Sequence, residues 1–213
     1  MAIVSTTQGV RDEIASRLNE TESDSNTDQY TNWVNLGLRD IENTFAQSPH
    51  LRTSTDRTIS IGTRLYATPS DFSKMNSITI PSSDQRLSYL TPEQFDRLYA
   101  SAAGIGTPAY YTIRGWGSNG QVEYYPSPTS TVGTVHLEYQ RAMVTVSAGS
   151  STPDLPPKFL ELLIMYGEMY GHRRRGRYEQ ADAVEKKYET LKTRMQSDLA
   201  NQTTQDPTTV VNK

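Results

Sequence analysis

The feature that most constrains this chain is a change of hydrophobic period that occurs twice along its length. Both ends repeat apolar residues at helical spacing, and the middle alternates them at strand spacing. In the first stretch, Thr6 or Thr7 is placed to cap a helix whose Val10, Ile14 and Leu18 recur every fourth residue. A polar, turn-prone run over residues 19–27 leads to a second helix. That helix is expected to start near a Thr27 cap and to carry Tyr30, Trp33, Val34, Leu38, Ile41 and Phe45 on one face, until Ser48-Pro49 ends it. Near the other end, Pro156 and Pro157 stand where a helix can begin, and Phe159, Leu162, Leu163, Tyr166, Met169 and Tyr170 form the most apolar helical face of the chain. Gly176 breaks the pattern, and a last helix over about 178–199 sets Ala181, Val184, Tyr188, Leu191 and Met195 on one side.

Between these stretches the pattern is that of short strands. Thr58-Ile59-Ser60-Ile61, Leu65-Tyr66 and Ser77-Ile78-Thr79-Ile80 alternate and are stopped by Gly62-Thr63, Pro69 and Pro81. Thr91-Pro92-Glu93 opens a short helix over 93–99. Strands then follow at 109–114, 121–125 and 134–141, the first two joined through Asn119-Gly120, a dipeptide that favours a tight hairpin turn. Neither helical pair encloses a core alone, so the expected fold is α+β. The N-terminal helices (1–50) and C-terminal helices (151–200) make one bundle, residues 51–150 insert an antiparallel β module of sandwich or barrel type, and residues 201–213 form an extended arm.

Composition narrows the chemistry. The chain has no cysteine and three histidines, which excludes disulfides, thiolate metal sites and cysteine nucleophiles. His50, His136 and His172 have no metal-ligand spacing, Gly104-Ile105-Gly106 lacks the setting of a phosphate loop, and Gly-X-Ser-X-Gly is absent. The expectation is a non-enzymatic protein without cofactor. No apolar run approaches the roughly 18 residues of a membrane span and no signal-peptide pattern opens the chain, so it reads as soluble and unprocessed. The formal net charge of -3 argues against global attraction to nucleic acid. Acidity is concentrated in residues 1–50, with three basic and eight acidic side chains.

Hydrophobic residues amount to 35%, with 13 Tyr against 4 Phe. A thin apolar supply and tyrosines, which tolerate both water and burial, suggest a chain that completes its burial against other chains. The sharpest charge feature is His172-Arg173-Arg174-Arg175-Gly176-Arg177. It supports two readings: a phosphate-contacting patch of a nucleic-acid-binding module, or a helix terminus whose cations meet the dipole and pair with carboxylates within or between subunits. Trp116, in a glycine-rich loop, is placed to touch a neighbouring chain.

Several stretches, in order, resemble the head-to-tail adaptor (connector, head-completion) proteins of tailed bacteriophages, in particular the short-tailed type. They are Trp33 to Ile41, Gly62 to Phe72, Leu90 to Tyr99, Gly106 to Tyr111, Tyr124 to Pro128 and the helical pair opening at Leu155. The resemblance implies a structural virion protein at the head-tail interface, made in the bacterial host cytoplasm. It implies a ring, usually of twelve copies, docked beneath the portal protein, joined to a tail or nozzle protein and continuing the channel through which double-stranded DNA passes. The C-terminal arm, with Thr208, Thr209, Val210, Val211, Asn212 and Lys213, is then the expected portal contact. Tyr166, Tyr170, Arg173, Arg174, Arg175, Arg177 and Tyr178 are the expected subunit interface, and Asp12, Glu13, Glu20 and Glu22 are candidates for an acidic channel lining.

Overall fold

The computed structural model describes residues 6–20, 24–45, 49–101, 104–128, 133–147 and 149–203. They form two compact units, one from residues 1–50 and 143–213, the other from 51–142. The N- and C-terminal helices pack together in the first, and the β-sheets make up the second, so the fold is mixed α+β with a helical bundle interrupted in sequence.

In the helical unit, α1 (Thr7–Arg17) starts at Thr6, whose hydroxyl accepts a hydrogen bond from the Gly9 N–H. The second helix, α2 (Asp24–Thr44), begins before the expected cap: Thr27 lies inside it, and its carbonyl accepts from the Thr31 hydroxyl one turn on. The third, α4 (Leu160–Arg174), contacts α1, α2 and α5 (Tyr178–Thr203). Its central position explains why its sequence is apolar around most of the circumference, with Leu160, Leu162, Leu163, Ile164, Met169 and His172 all buried.

Two glycines of α4 set how closely α1 approaches. A Cβ built on Gly167 lies 2.4 Å from Ile14 Cδ1, and one on Gly171 lies 2.3 Å from Leu18 Cδ1 and 2.7 Å from Cδ2. The segment returning to the helices is pinned as well. Asn35 donates to the Val146 carbonyl at 3.0 Å and accepts from its N–H at 2.8 Å. The first backbone N–H groups of α1 donate to the carbonyls of Ser151 and Gly149.

The β unit consists of two four-stranded sheets. One has the order β1 (Arg52–Ile59), β8 (Gly133–Arg141), β3 (Phe72–Ile80), β4 (Gln85–Arg86); the other has β2 (Leu65–Ala67), β7 (Gln121–Tyr125), β6 (Tyr110–Arg114), β5 (Ser88–Tyr89). Their inner faces share one core, including Ile59, Phe72, Ile78, Val135 and Leu137 from the first and Tyr111, Val122 and Tyr124 from the second. One pair departs from the antiparallel expectation. Strands β5 and β6 run parallel, because the helix α3 (Pro92–Ser101) intervenes and supplies the crossover that parallel neighbours require. The loop joining β6 to β7 also differs from the expected Asn-Gly turn. Positive φ falls on Gly115 and Gly117, and Gly117–Asn119 forms a short 3-10 turn.

Candidate interaction surfaces

In the helical unit the arginine run is first a helix terminus. Gly176 takes φ of 71°, the Arg177 N–H donates to the His172 carbonyl at 3.0 Å and the Gly176 N–H to the Arg173 carbonyl at 3.1 Å. These are the paired bonds by which a left-handed glycine closes a helix. Two of the four guanidiniums are engaged within the chain: Arg173 with Glu185 at 2.8 Å, and Arg175 with Glu20 and with the Leu18 carbonyl at the end of α1, the latter at 2.8 Å. Arg174 and Arg177 are exposed and have no ion-pair partner among the described residues. Beside them Tyr178 is 65% exposed.

Tyr166 and Tyr170 are half-buried and stack at 5.0 Å between centroids, and Tyr166 meets Tyr188 edge-on at 5.7 Å. The Tyr188 hydroxyl donates to Asp40, which also receives Lys192 at 2.8 Å. Burial, and then the Asp40 hydrogen bond, push the Tyr188 phenol far above its ordinary range.

The expected acidic lining divides. Asp12 is exposed and accepts from Gln8 in the same helix, Glu13 pairs with Arg17 at 3.0 Å, and Glu20 binds Arg175 and the Tyr30 hydroxyl. Arg17 also reaches Glu161 at 2.7 Å and Glu168 at 3.4 Å. Partial burial works against its charge, but the hydrogen bonds to these carboxylates more than offset it and hold Arg17 above its ordinary value. Glu22 and Thr208 to Lys213 lie outside the described residues.

The β unit carries a surface that sequence reasoning missed. A groove of about 480 Å³ opens between the first residues of β3 and the edge of the second sheet, lined by Lys74, Met75, Tyr89, Tyr111, Ile113 and Trp116 among others. Trp116 is 91% exposed and Tyr89 51%. None of the lining residues is acidic, and Lys74 has no ion-pair partner among the described residues. Burial raises the Tyr111 phenol, and the nearby Arg86 charge opposes that rise. The sequence expectation starts this strand only at Ser77. Two bulges, between Phe72 and Lys74 and between Met75 and Ser77, break the period-two signal there.

On the outer face of the second sheet, Glu123 is buried (2% exposed) and receives Arg64 at 2.8 Å and Arg114 at 2.7 Å. Arg114 continues to Asp96 on α3, and Arg64 stacks over the Tyr99 ring at 4.2 Å. Among the described residues, no group of three or more His, Asp or Glu is placed to hold a metal ion, and no helix is long and apolar enough to cross a membrane.

The class this defines is a mixed α+β protein in which an interrupted helical bundle carries a two-sheet β module, with exposed aromatic and cationic surface on each unit. The model of the SU10 adaptor protein family matches residues 5–211. The chain belongs to that family, which comprises phage structural adaptor proteins and not enzymes. No curated protein matches the chain.

Proposed function

We propose that this chain is the head-to-tail adaptor of its virion. Copies form a ring beneath the portal protein, join it to the tail or nozzle and continue the DNA channel. The observation that carries this reading is the family match over residues 5–211, which takes in both units together. The exposed pair Arg177 and Tyr178, beside the closed end of α4, supplies unfilled contact area for a neighbouring copy, and the arm ending in Thr208 to Lys213 supplies the portal contact.

Assembly is the test. The purified chain is expected to remain monomeric at micromolar concentration and to give a ring on mixing with the portal protein, read by native mass spectrometry and electron microscopy. A stable ring without portal would overturn portal-dependent assembly, and failure to bind portal would overturn the reading itself. Truncation after Thr203 is expected to abolish portal binding.

Nucleic-acid binding through Arg173 to Arg177 is the competing function, and geometry weakens it. Of this run, Arg174 and Arg177 have no carboxylate partner among the described residues, and two phosphate contacts give a salt slope of only about -1.8 in log affinity against log salt. A slope of several units in a DNA titration would restore it.

A further inference from the structure

We propose that the groove of the β module binds an extended, carboxylate-bearing strand of the partner protein docked on it, which adds to the free edge of β3. The inference deepens the adaptor reading and rests on it for the existence of such a partner.

Three observations converge. First, β3 is hydrogen-bonded to β8 along its length, but on its other side β4 pairs with Thr79 and Ile80, and the Leu87 N–H that follows it donates to the Ile78 carbonyl. The backbone from Ser73 to Asn76 therefore has no strand paired on that side among the described residues; Arg86 reaches the Asn76 carbonyl at 3.4 Å, and the Gly117–Asn119 turn lies close to β3. Such an edge is a template for another strand. Second, this is where the two bulges fall, and bulges in sheets re-aim side chains at functional edges. They leave Ser73 and Lys74 exposed and Met75 buried. The groove floor is then Met75, Tyr111 and Ile113, with Tyr89 and the nearly free Trp116 as walls. A rigid, exposed indole beside a pocket of this size is the kind of anchor on which interfaces concentrate their affinity.

Third, the charge is one-sided. Lys74 and Arg86 have no carboxylate partner among the described residues, and no acidic side chain lines the groove. A strand whose apolar side chains alternate with carboxylates satisfies the backbone edge, the apolar floor and the two cations at once. An apolar strand without acids leaves the cations unmatched, and a basic strand is repelled. The occupant is therefore assigned by chemistry: an extended segment, apolar at every second position, with at least one Asp or Glu between.

The probe is a fluorescein-labelled acetyl-Val-Asp-Val-Thr-Val-Asp-amide, titrated into the full chain at low salt and read by anisotropy, beside the counterpart with both Asp replaced by Lys. The acidic peptide is expected to bind saturably and at least about tenfold more tightly than the basic one. Trp116→Ala is expected to weaken it about tenfold or more. Lys74→Glu should lower affinity for the acidic peptide and raise it for the basic one, a reversal that general destabilisation does not produce. Both side chains are exposed, so neither substitution disturbs a core. Absence of saturable binding, equal affinity for the two peptides, or indifference to Trp116→Ala overturns the proposal. So does concentration-dependent self-association of the full chain that Trp116→Ala abolishes, which would assign the groove to a second copy. Ring formation on the portal is measured in the same variants and should be unchanged. Its loss in the wild-type chain would count against the adaptor reading, whatever the peptides do.

Discussion

Substituting Gly171 tests whether close approach of α1 to α4 holds the interrupted bundle together. An alanine Cβ there would lie 2.3 and 2.7 Å from the two Leu18 methyls and 3.1 Å from Leu18 Cγ, against a carbon–carbon optimum of roughly 3.5–4.0 Å. All three contacts are with the Leu18 side chain, which is buried, so relief requires either a new Leu18 rotamer within a packed interface or an outward shift of α1 by about 1 Å. Overpacking of this kind costs about 1–3 kcal/mol. The gain in helix propensity from Gly to Ala returns about 1 kcal/mol, so Gly171→Ala is expected to destabilise by about 0–2 kcal/mol.

That window touches zero, and the decisive quantity is a coupling. Leu18→Ala alone removes a side chain only 2% exposed and should cost about 2–5 kcal/mol. In the Gly171→Ala background the new methyl fills part of the vacated space and the clash is gone. The double variant should therefore be more stable than the sum of the singles by about 1 kcal/mol or more. Propensity cancels in this cycle. Urea unfolding followed at the helical circular-dichroism band measures it. Additivity within about 0.5 kcal/mol would refute the argument that Leu18 and Gly171 share one space.

Further outcomes follow from the other contacts. Glu123→Gln removes the carboxylate that Arg64 and Arg114 share under α3, while Arg114 keeps Asp96; because both guanidiniums are about a third exposed, the loss should be about 1–3 kcal/mol, below the 3–5 of a fully buried pair. It should appear as a lowered Tm in the near-ultraviolet signal of the β unit, and an unchanged Tm counts against the network. Asn35→Ala frees the Val146 N–H and carbonyl, at a cost of about 1–3 kcal/mol, and should speed hydrogen exchange around residues 143–147, with protection unchanged if Asn35 holds nothing. Burial, then the hydrogen bond to Asp71, push Tyr139 up to about 12, and burial raises Tyr124, Tyr166 and Tyr188 further. These groups bind protons more tightly folded than unfolded, so their stabilisation is full below about pH 10 and is lost as pH rises through 12. Phenolate absorbance should therefore develop in step with unfolding in alkali, and titration of every tyrosine near pH 10 with the fold intact would contradict the burial argument.

What was legible in the sequence follows the strength of local period. The apolar face that runs from Tyr30 along α2 to Phe45 just beyond it appears as read, because it is buried at every position that the period marks; the strand Gln121–Tyr125 also appears as read, although both its faces are covered and only Gln121 is exposed. Strand β1 was legible only at its end. Arg52-Thr53-Ser54-Thr55-Asp56-Arg57-Thr58 offers no apolar alternation, and its pairing with β8 over eight positions, not burial, makes it a strand. The start of α2 was hidden for the opposite reason: its Ser, Asn and Thr residues favour turns and caps in isolation, yet they are helical here. The groove was not legible at all. Its lining comes from β3, β5, β6 and the loop after β6, and no local pattern encodes which strand edges are left unpaired. Trp116 alone was visible, as an aromatic residue in a glycine-rich loop.

The tyrosine excess acquires a different meaning once the cores are placed. Six of the thirteen, Tyr30, Tyr111, Tyr124, Tyr125, Tyr139 and Tyr188, are buried. Two small units each have a high ratio of surface to volume, so a side chain that reaches from the core to a carboxylate near the surface does what phenylalanine cannot. Tyr30 to Glu20, Tyr139 to Asp71 and Tyr188 to Asp40 are three such reaches, and each joins separate segments of its unit. The low apolar content is thus met partly inside the chain, which narrows the supply left for contacts between chains. Tyr166 and Tyr170 already pack on each other, whereas Tyr178 and Tyr89 are more than half exposed. On the proposed adaptor reading, a neighbouring copy would gain more area at Tyr178 than at Tyr166, and the proposed docked strand would gain it at Tyr89 beside Trp116.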